Sequence, residues 1–206
     1  MKNHYLYPMY PNQRNRRLRQ SPALRQLVSE NQLTCNDLML PLFIAEGTEV
    51  KDPIAAMPGC YRLSLDLLQE ELKAVADLGI KAVLLFVKVD DALKDNKGTE
   101  AVNPVGLMQK AIRTVKATTP EMVVMTDVAL DPYSSYGHDG IVEEGMILND
   151  PTVEVLSQMA LSHALAGADF VAPSDMMDGR VLRIRSVLEE AGMIDTGIMS
   201  YSAKYA

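Results

Sequence analysis

Three stretches of the chain hold residue types that could do chemistry. The first is the end of the sequence, residues 198–206, IMSYSAKYA. Side chains alternate along a strand, so Ser200, Ser202 and Lys204 share one face and Met199, Tyr201 and Ala203 the other. The expectation is a polar face ending in an amine, and a second face packed under helices. A partly desolvated amine at such a strand end has a depressed pKa and attacks carbonyl carbon. The plainer alternative is a solvated lysine, as most lysines are.

The second stretch is 126–140, TDVALDPYSSYGHDG. Asp127, Ala129 and Asp131 fall on one strand face, Pro132 forces a turn, and the loop beyond carries Tyr136, His138 and Asp139. Two or three carboxylates could converge there with the lysine, or hold a hard cation such as magnesium through oxygen. An equal alternative is a loop whose Asp and Ser side chains satisfy its own backbone. The third stretch is 173–180, PSDMMDGR. Ser174 and Asp175, at a strand tip, are candidates to line a pocket. Asp178 is expected to cap the following helix and Gly179 to make its tight entry. His163 reads as a packing or surface residue of a helix.

The elements that must position these residues alternate. Apolar strands are expected at 38–45, 81–87, 122–130, 169–173 and 198–204. Amphipathic helices are expected at 64–78, 104–118, 151–166 and 179–191, with Ser64 and Asn103 as caps and Gly79, Gly167 and Gly192 as stops. Such alternation implies parallel pairing through right-handed crossovers. The nearly continuous apolar strands suggest a sheet covered on both faces. A doubly wound sheet and a (β/α)8 barrel both fit. No glycine fingerprint follows the first strand, and polar residues gather after strand C-termini, as on a barrel rim. With five strands, the expected fold is α/β, of (β/α)8 TIM-barrel type, incomplete at about five βα units, over residues 34–206.

Residues 1–33 read as an arm with Pro8, Pro11, Pro22 and a basic cluster at Arg14, Arg16, Arg17 and Arg19. It is either a solvated tail or an oligomerisation arm that docks on a neighbouring subunit. A short helix at 22–30 fits Ser21 as cap and Pro22 at its first position.

The composition narrows the function classes. Of 206 residues 48% are hydrophobic, and 20 basic against 27 acidic residues give a net charge of −7. That balance argues against general nucleic-acid affinity. Cys35 and Cys60 form neither a disulfide framework nor a zinc motif. No apolar run has membrane-spanning length, and the N-terminus lacks a signal-peptide core. A cytoplasmic protein is expected.

Seven segments together resemble the porphobilinogen synthase (5-aminolevulinate dehydratase) family: RRLRQSPALRQLV, LMLPLFIAEG, MPGCYRLSLD, LGIKAVLLF, TDVALDPYSSYGHDG, VAPSDMMDGR and IMSYSAKYA. The resemblance implies a (β/α)8 barrel whose arm wraps a neighbour, usually in octamers. It implies a lyase that joins two molecules of 5-aminolevulinate into porphobilinogen with loss of two waters, on the route to haem and other tetrapyrroles. Lys204 matches the first of two lysines that form Schiff bases with substrate. Asp127 matches an aspartate that assists proton transfer, and Ser174 a pocket residue near it.

Zinc-dependent members place cysteines where this chain has Ala129, Asp131 and Asp139, so the resemblance is to the zinc-independent, magnesium-using branch. Asp131 and Asp139 are weak candidates for metal. The family pattern continues through three more strands, with the second lysine, carboxylate-gripping arginines and the magnesium ligands. This chain alone is therefore expected to be inactive as a synthase. Two rivals stand beside that reading. One is a non-catalytic fragment that acts by association. The other is a different Schiff-base barrel, of the class I aldolase kind, working on sugar phosphates.

Overall fold

The computed structural model describes residues 14–137 and 140–203. Contacts divide the chain into two compact units, Met1–Thr34 and Cys35–Ala206; the boundary expected from sequence lies one residue earlier. In the first unit Asn15–Arg19 form a 3-10 turn and Pro22–Leu27 the helix α1. The Ser21 hydroxyl accepts from the Leu24 N–H at 3.1 Å, and Pro22 stands where a missing N–H costs nothing. Neither element buries a side chain.

The second unit runs β1 Met39–Ala45, β2 Lys51–Pro53, β3 Tyr61–Leu63, α2 Leu65–Asp77, β4 Ala82–Lys88, α3 Leu107–Thr118, β5 Val123–Val128, β6 Ile141–Glu143, β7 Met146–Leu148, α4 Asn149–Ala166, β8 Phe170–Pro173, α5 Arg180–Glu190 and β9 Gly197–Ile198. The main sheet has the order β2-β3-β1-β4-β5-β8-β9. Within it β1, β4, β5, β8 and β9 are parallel and follow chain order, as successive βα units of a barrel do. The short strands go beyond the sequence expectation. β3 extends the sheet parallel to β1, β2 lies antiparallel to β3, and β6 pairs with β7 as a hairpin.

The two faces of the sheet differ. Leu42, Ile44, Val83, Leu85, Val124, Val128 and Val171 are buried in one core with Leu68 and Leu72 of α2, Ile112 of α3, Leu156 of α4 and Ile184 of α5. On the opposite face the β1 and β4 side chains are half-covered or, at Pro41 and Lys88, exposed; Phe43 and Phe86 stack there with ring centroids 5.3 Å apart. Apolar strand composition alone suggests two covered faces. In β1 and β4 only the helix-facing set, Leu42, Ile44, Val83, Leu85 and Val87, is buried.

Several caps differ from expectation. Ser64 holds the N-cap position of α2, but its hydroxyl accepts from the Val50 N–H at 2.9 Å instead of from the helix. Asn103 precedes a turn, accepting from Val105 N–H at 3.0 Å, and α3 starts later, after Gly106. Gly179 is the N-cap of α5 at φ 79°, a left-handed conformation suited to glycine, so Asp178 does not cap. The backbone of Asp178 is instead clasped by the Asn149 side chain, at 2.7 and 3.2 Å.

His163 of α4 is fully buried, with Nδ1 3.0 Å from the Thr126 hydroxyl of β5. Burial holds its pKa down to about 3 from 6.5. The folded state therefore keeps the ring neutral, while an unfolded chain takes up a proton below pH 6.5. The stability this group contributes is full above about pH 6.5 and is lost as pH falls toward 3. At about 1.4 kcal/mol per pH unit the loss approaches ~5 kcal/mol at the acid end. Urea unfolding of the protein and of His163→Leu from pH 7 to pH 4 checks this. The difference between them should shift with pH below 6.5; a pH-independent difference refutes it.

Candidate active site

Of the groups singled out in the sequence, the C-terminal rim of β5, β8 and β9 carries Asp127, Ser174 and Asp175. Register decides which of them meet. Asp127 pairs with Ala172, and Val171 with Ile198. The ladder continues past β9: Met199 N–H donates to Val171 O at 3.0 Å and Tyr201 N–H to Pro173 O at 3.2 Å. That pattern sets Met199 beside Ala172 and Tyr201 beside Ser174. Met199 thus lies in the row of Asp127, and Tyr201 shares that face.

This corrects the assignment of faces at the chain's end. The alternation of the strand places Met199 and Tyr201 under helices. In the fold they lie on the face opposite the helices and are 48% and 37% exposed. The strand's polarity was legible, but its parity is set by pairing with β8, and a shift of one residue turns every side chain over. Among the described residues the ladder ends at Tyr201, and Ser202 stands in a bend. Lys204 and Asp139 fall outside the described residues.

Asp127 is 8% exposed at the end of β5. Its negative charge reaches two phenols. Burial, then Asp127 and Glu100, push Tyr133 up; burial, then Asp127, push Tyr201 up. Ala129 is buried two residues beyond Asp127, while Asp131 is exposed on the turn. The two aspartates thus do not share one environment. Among the described residues no three His, Cys, Asp or Glu side chains gather to hold a metal ion.

Ser174 is half-buried, and its N–H donates to Val128 O at 3.2 Å across the β5–β8 gap. Asp175 is turned inward, its side chain wholly buried. One oxygen accepts from Met177 N–H at 2.8 Å, and the other lies 3.1 Å from Nε of Arg180. That N–H is poorly aimed, so the contact is charge attraction more than hydrogen bond. Arg180 closes the ring by donating to Met177 O at 2.9 Å. Asp175 therefore braces the 174–179 loop behind Ser174.

Residues unmarked in the sequence hold the aspartate loop down. Asp95 N–H donates to Tyr133 O and Asp95 O accepts from Ser135 N–H, both at 3.1 Å. The Asn96 side chain both donates to and accepts from Val142 of the hairpin, at 2.8 and 2.9 Å. Asp95 itself is kept acidic, first by the Thr99 side chain. The Asp95–Asn96–Lys97 triplet is an ordinary turn signal, and nothing in it points to a partner some 40 residues away.

The family model described as "Delta-aminolevulinic acid dehydratase" matches residues 12–206. The chain belongs to the delta-aminolevulinic acid dehydratase family. A chloroplastic delta-aminolevulinic acid dehydratase of Selaginella martensii is 54% identical over 97% of this chain and 48% of its own length. The enzyme of that name from Bradyrhizobium diazoefficiens is 49% identical over 94% of this chain and 55% of its own. The crystal structure of the Toxoplasma gondii ME49 delta-aminolevulinic acid dehydratase, in complex with the reaction product porphobilinogen, superposes with a TM-score of 0.91 at 49% identity. It covers 97% of this chain and 56% of that one.

The chain thus spans about half the length of the curated relatives it matches. Its fold is part of the (β/α)8 barrel of the family. No helix among the described residues is long and apolar enough to cross a membrane.

Proposed function

We propose that this chain carries a substrate site of a porphobilinogen synthase, in which Lys204 condenses with the ketone of 5-aminolevulinate and Asp127 handles the proton. The observation that carries the reading is the row Asp127–Ala172–Met199. It runs the strand that leads to Lys204 alongside a buried carboxylate. A lysine nitrogen adds to the carbonyl carbon to give a carbinolamine. Its hydroxyl takes a proton from an acid and leaves as water, and the nitrogen is left doubly bonded to carbon.

Ser174, level with Tyr201, is suited to contact substrate, and Asp175 supports it from behind. Magnesium use, an octameric assembly and a cytoplasmic location belong to the same proposal. Magnesium use and the octamer rest on the resemblance; for location, relatives named chloroplastic show that it varies within the family. Ala129 supplies no ligand atom where a thiolate would hold zinc.

The test is covalent. The protein is incubated with 5-aminolevulinate, reduced with borohydride, digested and mapped by mass. A secondary-amine adduct on Lys204 is expected. An adduct on any other lysine, or none, refutes the assignment. Imine formation needs a single amine, so the test does not depend on porphobilinogen being made.

A further inference from the structure

Lys88 ends β4 on the face of the sheet turned away from the helices. Val83, Leu85 and Val87 of that strand are buried in the helix-side core, so Phe86 and Lys88 project from the other face. Asp127 of β5 projects from that same face. Its neighbours Val124 and Val128 lie in the core, and Thr126 meets His163 of α4.

Register fixes how near the two residues stand. Leu85 pairs with Thr126, which brings Phe86 beside Asp127 and sets Lys88 two residues further along the adjacent strand. Strands lie about 4.8 Å apart and rise about 3.3 Å per residue, so the two Cα atoms are about 8 Å apart on a diagonal. A lysine side chain spans such a diagonal. Lys88 also pairs with Ala45 of β1. Continued across the sheet, the row above Asp127 runs Ala45, Lys88, Ala129, Ser174 and Tyr201.

The Lys88 side chain is exposed and borders a cavity of about 400 Å³ at the mouth between β1 and β4. Among the described residues no hydrogen bond or ion pair occupies its ammonium. The carboxylates around the same cavity are differently engaged. Asp52 lies 3.0 Å from Arg62, Asp91 lies 2.7 Å from Lys94, and Asp90 accepts from Ala92 N–H at 2.9 Å. With Glu46 also on the cavity wall, a free anion is repelled there. An anion already tethered to the rim by another group is not so easily lost.

We propose that Lys88 is a substrate-binding residue that holds the carboxylate of 5-aminolevulinate while the ketone reacts at Lys204. β4 and β9 flank Asp127 from opposite sides of the row. The carboxylate, two methylene groups from the ketone, points toward β4, and the ketone toward the strand that leads to Lys204. The inference rests on the proposed function, but the carboxylate contact is read separately from the imine.

Two ketones and two variants test it. One ketone is 5-aminolevulinate; the other is 1-aminopentan-2-one, with a methyl group in place of the carboxylate. Lys88→Met should raise the concentration of 5-aminolevulinate that half-saturates borohydride-trapped adduct at Lys204 by about tenfold. The value for 1-aminopentan-2-one should stay unchanged, and Lys88→Arg should keep most of the parent's affinity. No change in Lys88→Met, or an equal change for both ketones, overturns the proposal. The second readout is the carbon-13 signal of the Lys88 ε-carbon, assigned by its loss in Lys88→Met. It should move on addition of 5-aminolevulinate and not on addition of 1-aminopentan-2-one or sodium acetate. A signal that stays still, or that moves equally with acetate, overturns the proposal. A parent protein that forms no adduct defeats the proposed function, while the Lys88 signal still decides whether the carboxylate is held there.

Discussion

Replacing Asp127 by asparagine is expected to slow adduct formation at Lys204 by about 10²- to 10⁴-fold, the usual worth of a positioned acid–base group. Loss of the carbinolamine hydroxyl needs a proton, and asparagine has none to give. The substitution is nearly isosteric, so the buried site at the end of β5 keeps its volume. The thermal midpoint should therefore move far less than the rate. Borohydride quenching at timed intervals under saturating 5-aminolevulinate measures the effect. A loss smaller than about threefold would remove Asp127 from the chemistry. A large loss accompanied by unfolding would make it a structural residue.

Asp175→Ala should cost about 3 kcal/mol of stability. Breaking a buried ion pair costs about 3–5 kcal/mol, because the surviving charge is left without compensation. The lower end applies here, since a fifth of the Arg180 side chain reaches solvent and can be hydrated there. Against a net stability of about 5–15 kcal/mol for a domain, that is a large fraction. The paired change Asp175→Ala with Arg180→Met removes the stranded charge and should recover part of the loss. Guanidinium denaturation of the two variants and the parent measures both effects. A single-variant loss below about 1 kcal/mol would show that the pair carries no net stability. The 174–179 loop also holds Ser174, so adduct formation should weaken in the single variant and return in part in the double.

The two residues illustrate different roles at one rim. Asp127 ends one apolar strand and Asp175 follows another, and both look like pocket residues from their spacing. One charge is felt by Tyr133 and Tyr201 across the row of strand ends. The other turns back onto its own loop to meet Met177 and Arg180. The arginine five positions on is visible in PSDMMDGR, but a glycine stands between them. Whether the chain folds back there depends on the left-handed Gly179, not on spacing.

Taken by itself, the sequence determined the βα alternation, the helix stops at Gly79, Gly167 and Gly192, and the family, because these depend on local periodicity and on motifs in order. It also placed Asp127, Ser174 and Asp175 at strand tips. Only the tertiary structure decided which face of the last strand looks at Asp127. That parity comes from hydrogen bonds to β8, and a strand's own residues do not specify its partner's register. The same holds for the burial of His163 and Tyr133. A ring's access to water is fixed by segments far away in the chain, here Thr126 for the histidine and the Asp95 loop for the tyrosine.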